Sequence, residues 1–177
     1  EEQKDIHRWT KNIQPLGWQY QISNDIILNY SIQYEKGFLN SNYFELIGLT
    51  KIRLGTLYDD LSTGFLIRTG IMNSYFVNLG LVNQPNNKLH NFRCYFFAKG
   101  EIKAIGYNAT MEGGALNKKS IYTIPPQDID RFTGILYTGI TISYKRLALE
   151  YTQSFLTPEF KNGLPHGWGH CNITVCF

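Results

Sequence analysis

The last eight residues, His170-Cys171-Asn172-Ile173-Thr174-Val175-Cys176-Phe177, decide the reading of the fold. Cys171, Ile173, Val175 and Phe177 share one parity, and His170, Asn172, Thr174 and Cys176 share the other. Side chains of a β-strand alternate between its two faces, so this segment shows an apolar face and a more polar one. An alternating strand that stops on an aromatic carboxyl terminus is how bacterial outer-membrane barrels typically finish. The competing reading is a soluble sandwich strand that ends in Phe by chance.

Working back along the chain, the same period of two recurs. Ile26, Leu28, Tyr30, Ile32 and Tyr34 line one face of a strand, opposite Ile27, Asn29, Ser31, Gln33 and Glu35. Phe44, Leu46, Gly48, Thr50, Ile52 and Leu54 repeat the pattern against Glu45, Lys51 and Arg53. Gly64–Ile71 is a third strand, with Arg68 opposed to Phe65, Ile67 and Ile71. Phe92 to Glu112 alternates for longer than one ordinary strand, which predicts a bulge or a turn near Gly100. Phe132–Tyr144, Leu147–Phe155 and Gly169–Phe177 complete the set. The even stripe Ile26 to Tyr34 is expected to face lipid.

Tyr58–Ser62 and Lys145-Arg146 read as tight turns, whereas Met72–Asn91, Ala115–Arg131 and Leu156–Trp168 read as long loops. Short turns on one side and long loops on the other describe an outer-membrane barrel. The one helical candidate is the polar stretch Glu2–Lys11, which must stop before Pro15. The expected organisation is therefore a single all-β domain over 1–177, an antiparallel transmembrane β-barrel. A helical loop segment over 1–15 precedes its first strand.

Composition agrees. Aromatic residues make up 15% of the chain, and rings favour the two membrane interfaces. No run approaches the ~18 apolar residues of a membrane helix, and the mean hydropathy is −0.25. A barrel strand shows lipid only every second residue, so neither fact counts against a membrane. The net charge of +3 gives no basic stripe of the kind that nucleic acid requires. The opening at Glu1 without Met suggests a mature form or a fragment.

The candidates for chemistry are few. Cys94, Cys171 and Cys176 show no zinc spacing and read as small apolar fillers. His90 lies in an Asn-rich loop and reads as solvated. His166 and His170 flank Trp168, but no Cys or carboxylate lies adjacent to complete a zinc set. His7 sits in the helical candidate beside Glu2, Asp5 and Trp9, just before the first strand. There an imidazole is able to activate water, although a lone His more often has no such role.

Several segments together resemble a known family. Gln3 and His7 are followed by Gly17-Trp18-Gln19-Tyr20-Gln21 and Asn24-Asp25. Leu54-Gly55, Gly64 and Arg68-Thr69-Gly70 come next, then Tyr107-Asn108-Ala109-Thr110-Met111-Glu112-Gly113-Gly114. Thr157-Pro158-Glu159-Phe160, His166, Trp168-Gly169 and Phe177 close the series. In this order they resemble the outer-membrane lipid A deacylases, of the lipid A 3′-O-deacylase kind. Asp25 stands where that family has Glu, which keeps the charge.

The resemblance implies a closed barrel of about twelve strands, of which this chain would supply about seven or eight as the C-terminal portion. It implies an esterase that removes the 3′-linked acyl group of lipid A in lipopolysaccharide, acting as a monomer in the bacterial outer membrane. It assigns His7 as the general base for a water that attacks the ester carbonyl. It implies Ca²⁺ as the oxyanion's charge sink, with ligands on early strands that have no counterpart here. The chain alone is accordingly expected to be inactive. Two rivals remain at this point: a non-catalytic outer-membrane barrel serving as structural protein or adhesin, and a soluble lipocalin-like barrel.

Overall fold

The computed structural model describes residues 25–78, 90–116, 120 and 123–175. The helical candidate Glu2–Lys11 with His7, the Gly17–Gln21 segment, Cys176 and Phe177 lie outside the described residues. The alternating segments form one antiparallel sheet of seven strands in sequence order. They are β1 (Asn29–Asn40), β2 (Phe44–Gly55), β3 (Tyr58–Ile71), β4 (Phe92–Asn108), β5 (Phe132–Tyr144), β6 (Leu147–Leu156) and β7 (His166–Val175). Two single-turn helices, α1 (Tyr75–Asn78) and α2 (Ala109–Glu112), and a 3₁₀ turn at Pro126–Asp128 lie in the connections. Among the described residues no helix is long and apolar enough to cross a membrane.

Register turns the period of two into two faces. Ile32 pairs with Ile52, Ile52 with Leu61, Leu61 with Ala104 and Ala104 with Phe132, giving one apolar row. The next residue along carries the other face: Gln33 pairs with Lys51, Lys51 with Ser62, Ser62 with Lys103 and Lys103 with Thr133. The apolar face is exposed, with Phe65, Ile67, Phe96 and Ile102 open to the surroundings. The polar face holds the buried Glu45, Asp60, Ser62, Arg68, Thr141 and Thr152. A sheet with apolar residues outside and polar residues inside is the arrangement of a membrane barrel wall, and the reverse of a lipocalin. Within β1 the stripe continues through Tyr30, Ile32 and Tyr34, whereas Ile26 and Leu28 precede the strand. We expect Ile67→Arg, near the middle of β3, to cost ~2–4 kcal/mol in refolding from urea, with Gln33→Arg on the polar face nearly neutral. Equal costs would refute this assignment of the faces, and a larger cost at Gln33 would mean that they are reversed.

The sheet is not closed: β1 and β7 are its edges, each paired on one side. An open edge is not tolerated in lipid. The native wall therefore needs strand partners for β1 and β7 beyond those described.

Three expectations about connections are corrected. The tight turn is Thr56-Leu57, and Tyr58–Ser62 belongs to β3. The acids that suggested a turn have other tasks: the Asp59 carboxylate accepts from Gly55 N at 2.8 Å, and Asp60 pairs with Arg53 across the ladder. β4 is one unbroken strand through Gly100, and its irregularity falls at Gly106, opposite the Asp59/Asp60 step. Loop lengths do not sort by side. The end of the sheet bearing Thr56-Leu57, here called upper, also carries residues 109–131 and 157–165. The lower end carries the Lys145-Arg146 hairpin, residues 41–43 and the long connection 72–91.

That lower connection folds back onto the polar face. Ile47, Leu49 and Leu66 form a small buried cluster there, packed by Tyr75 and Phe76 of α1 and by Phe97. Beside it Arg68 Nη1 donates to Glu45 Oε2 at 2.6 Å, with both side chains no more than 4% exposed. Glu45 Oε1 accepts from Tyr75 N at 3.1 Å, and Arg68 stacks 4.4 Å from the Tyr95 ring. Burial, and then the nearby Glu35 carboxylate, push the Tyr75 phenol above its usual pKa. An apolar knot and one buried ion pair thus close the lumen side at the lower end.

Candidate functional site

The upper end gathers most of the segments that carried the family resemblance. Residues 25–28, which lead into β1, are fastened there to the β2–β3 hairpin. Thr56 Oγ1 accepts from Leu28 N at 2.9 Å and donates to the Ile26 carbonyl at 2.7 Å. The Asn29 side-chain oxygen accepts from Leu57 N and Tyr58 N, each at 3.2 Å. Asp25 reaches further, accepting from Leu116 N at 3.1 Å. Residues 25–28 thus join the β2–β3 hairpin to the loop that follows α2.

Tyr107–Gly114 is built as a capped turn. Asn108 caps α2, its side-chain oxygen accepting from Thr110 N at 3.1 Å and from Thr110 Oγ1 at 2.6 Å. The chain leaves α2 at Gly113 with φ 91°, a conformation that glycine adopts without strain. The Tyr107 hydroxyl donates to the Gly113 carbonyl at 2.5 Å and closes the loop. Arg131 braces the turn from outside, donating to Glu112 Oε1 at 2.7 Å, to the Gly106 carbonyl at 2.9 Å and to the Pro126 carbonyl at 3.1 Å. Thr157–Phe160 joins through an Ile129–Phe160 bridge and through Asp130 N donating to the Glu159 carbonyl at 3.0 Å.

Between these loops and the polar face lies a cavity of about 280 Å³, lined by Arg53, Tyr58, Asp60, Lys103, Asn108 and Glu159 among others. Arg53 Nε donates to Asp60 Oδ1 at 2.9 Å, and its guanidinium stacks 4.0 Å from the Tyr58 ring. Lys103 makes no ion pair among the described residues. The cavity is a polar recess with one neutralised cation and one available cation, suited to anionic or hydroxyl-rich groups. The sequence reading gave Arg53 only as a polar-face residue and did not single out Lys103. What it missed was that parity and register bring them to the same end.

The histidines disperse. His90 lies at the lower end, where its N–H donates to Asn73 Oδ1 at 2.8 Å. His166, Trp168 and His170 share the polar face of β7, and the His166 and Trp168 rings are 6.2 Å apart. His166 and His170 lie four residues apart on that strand, or ~13 Å. That is far too long for one zinc ion with ~2 Å bonds, so the pair is not a metal site. His170 instead lines a second lumen cavity of about 470 Å³ with Arg68, Tyr95, Lys99, Tyr137 and Glu150. Cys94 and Cys171 are free thiols on the apolar face. Among the described residues no three His, Cys, Asp or Glu side chains converge. The described part therefore offers no acidic cage of the kind Ca²⁺ takes, and no step below is routed through a metal.

A family model described as outer membrane protein LpxR matches residues 1–177. Among solved structures, LpxR from Salmonella typhimurium is similar with a TM-score of 0.66 at 19% identity. The alignment covers 99% of this chain and 61% of that one, so the chain spans about three-fifths of its length. At that identity the likeness bears on the fold. A comparison with curated protein sequences finds no match.

Proposed function

Because the chain belongs to the LpxR family of bacterial outer-membrane proteins, we propose that the full-length protein is a lipid A deacylase. It hydrolyses the 3′-linked acyl ester with His7 as general base. The observation that carries this reading is the family match over the whole of 1–177, which includes His7. The upper end is consistent with it, since residues 25–28, which precede β1, are fastened there beside the Tyr107–Gly114 and Thr157–Phe160 loops.

On this proposal neutral His7 takes a proton from water as the oxygen attacks the ester carbonyl, and the same proton then leaves with the alkoxide. A base of near-neutral pKa suits that exchange. The polar recess with Lys103 lies on the lumen side of the wall at that same upper end. The protein acts as a monomer on lipopolysaccharide. Its calcium requirement is a property of the whole protein, met by ligands outside the described residues, and the 177-residue chain alone is inactive.

The test is release of the 3′-linked acyl chain from lipid A by the full-length protein, read by mass spectrometry, with calcium and with chelator. Release that stops under chelation and returns with added calcium is expected. A correctly assembled protein that releases no fatty acid under either condition would instead mark a non-catalytic barrel.

A further inference from the structure

The apolar face is not uniformly filled. One row across it reads Gly48, Phe65, Gly100, Leu136, Phe155 and Gly167, small and large in near alternation. At Gly48 the hollow is closed by the chain itself: an added Cβ would meet the Phe38 ring at 2.4 Å. At Gly100 nothing closes it. An added Cβ there would meet only Leu136 Cδ1, at 3.9 Å. Gly134, one step nearer the upper end, leaves similar room, its nearest neighbour being Thr157 Cγ2 at 3.5 Å. The result is a groove of about 610 Å³ floored by Gly100 and Gly134, and walled by Phe65, Ile102, Leu136 and Phe155. Phe65 and Ile102 are 55% and 63% exposed, so the walls stand out from the sheet.

We propose that this groove seats one acyl chain of a lipid A molecule in the outer leaflet; the choice of lipid rests on the function proposed above. A hollow in a lipid-facing wall is filled by a hydrocarbon chain, because an empty one forfeits the dispersion contacts of its whole lining. The groove's lining is almost entirely hydrocarbon and continuous with the lipid-facing face, and its volume lies within the ~300–1,000 Å³ of ligand sites. It opens beneath Thr157, Pro158 and Pro165, at the upper end, where Leu28 is fastened to Thr56. The loop above it also carries Lys161, with a side chain 60% exposed and Nζ 3.7 Å from Asp128. Held from Asp128 only at that long distance and well exposed, the ammonium can turn to a phosphorylated sugar above the groove, and a zwitterionic phospholipid gains less from it.

The full-length protein, refolded in detergent with chelator present, would be titrated with lipid A and separately with phosphatidylethanolamine. Bound lipid is counted by native mass spectrometry. Lipid A should be retained in preference, and Gly100→Leu should weaken its binding about tenfold, as expected when bulk is added to a fitted apolar site. Ala98→Leu adds bulk smaller by one carbon on the same face outside the groove and should bind as wild type does. If Gly100→Leu fails to refold, Phe155→Ala, which removes a wall, is read in its place with the same loss expected. Unchanged binding in the groove variant, an equal loss in Ala98→Leu, or equal retention of phosphatidylethanolamine each overturns the proposal. The readout is binding, so the two readings fail separately. Lipid A held in chelator but never hydrolysed once calcium is restored counts against the proposed activity alone, and hydrolysis in calcium with binding insensitive to Gly100 counts against the groove alone.

Discussion

His7→Ala in the full-length protein should lower acyl release from lipid A by ~10²–10⁴-fold, the usual effect of losing a general base. Barrel assembly should be unaffected, because His7 lies outside the seven strands that form the described wall. His90→Ala should do less, since His90 lies at the lower end against Asn73. His166→Ala should also do less, since its ring leans on Trp168 in β7. In the unmutated protein the rate should fall as pH drops through the imidazole range, because only neutral imidazole accepts the proton. Rates measured between about pH 5 and 8 on both proteins check this. A His7→Ala protein with full activity would remove the catalytic assignment, whatever its pH profile.

The second large effect concerns stability. Glu45→Ala should cost ~3–5 kcal/mol, because it strands the Arg68 guanidinium in a site from which water is excluded. Glu45 is 2% exposed and Arg68 3% exposed, and the lost carboxylate also deprives Tyr75 N of its acceptor. Replacing both partners, Glu45→Leu with Arg68→Met, should recover most of that loss, since a buried pair contributes little net stability over apolar residues of similar shape. Urea unfolding of the refolded protein measures both variants. A Glu45→Ala cost under about 1 kcal/mol would mean that water reaches the pair.

The strands were legible because period two survives any tertiary context that keeps one face in lipid. Ile32, Ile52, Phe65, Ile67 and Leu136 announce that face without help from register. The turn between β2 and β3 was misplaced for a local reason. Asp59 and Asp60 favour turns in isolation, and only the ladder reveals that Asp60 has Arg53 opposite it. The bulge in β4 was expected near Gly100 and occurs at Gly106, since both glycines permit one and the pairing with β3 chooses between them. The site was less legible. His7 was singled out by the resemblance and lies outside the described residues. The recess at Arg53, Lys103 and Glu159 joins residues far apart in sequence, which parity assigns to faces but cannot bring together.

The length of β4 has a consequence for where recognition happens. Its 17 residues extend over ~57 Å at about 3.4 Å each. With strands inclined by ~40°, that is ~43 Å along the bilayer normal, against an apolar band of ~25 Å. Much of the strand therefore stands clear of the hydrocarbon. Asn108, its last residue, is also the residue from which α2 starts. Carried at the upper end, the excess lifts the Tyr107–Gly114 turn past the apolar band. The strand then acts as a mast, holding its loops clear of the hydrocarbon that the wall itself meets.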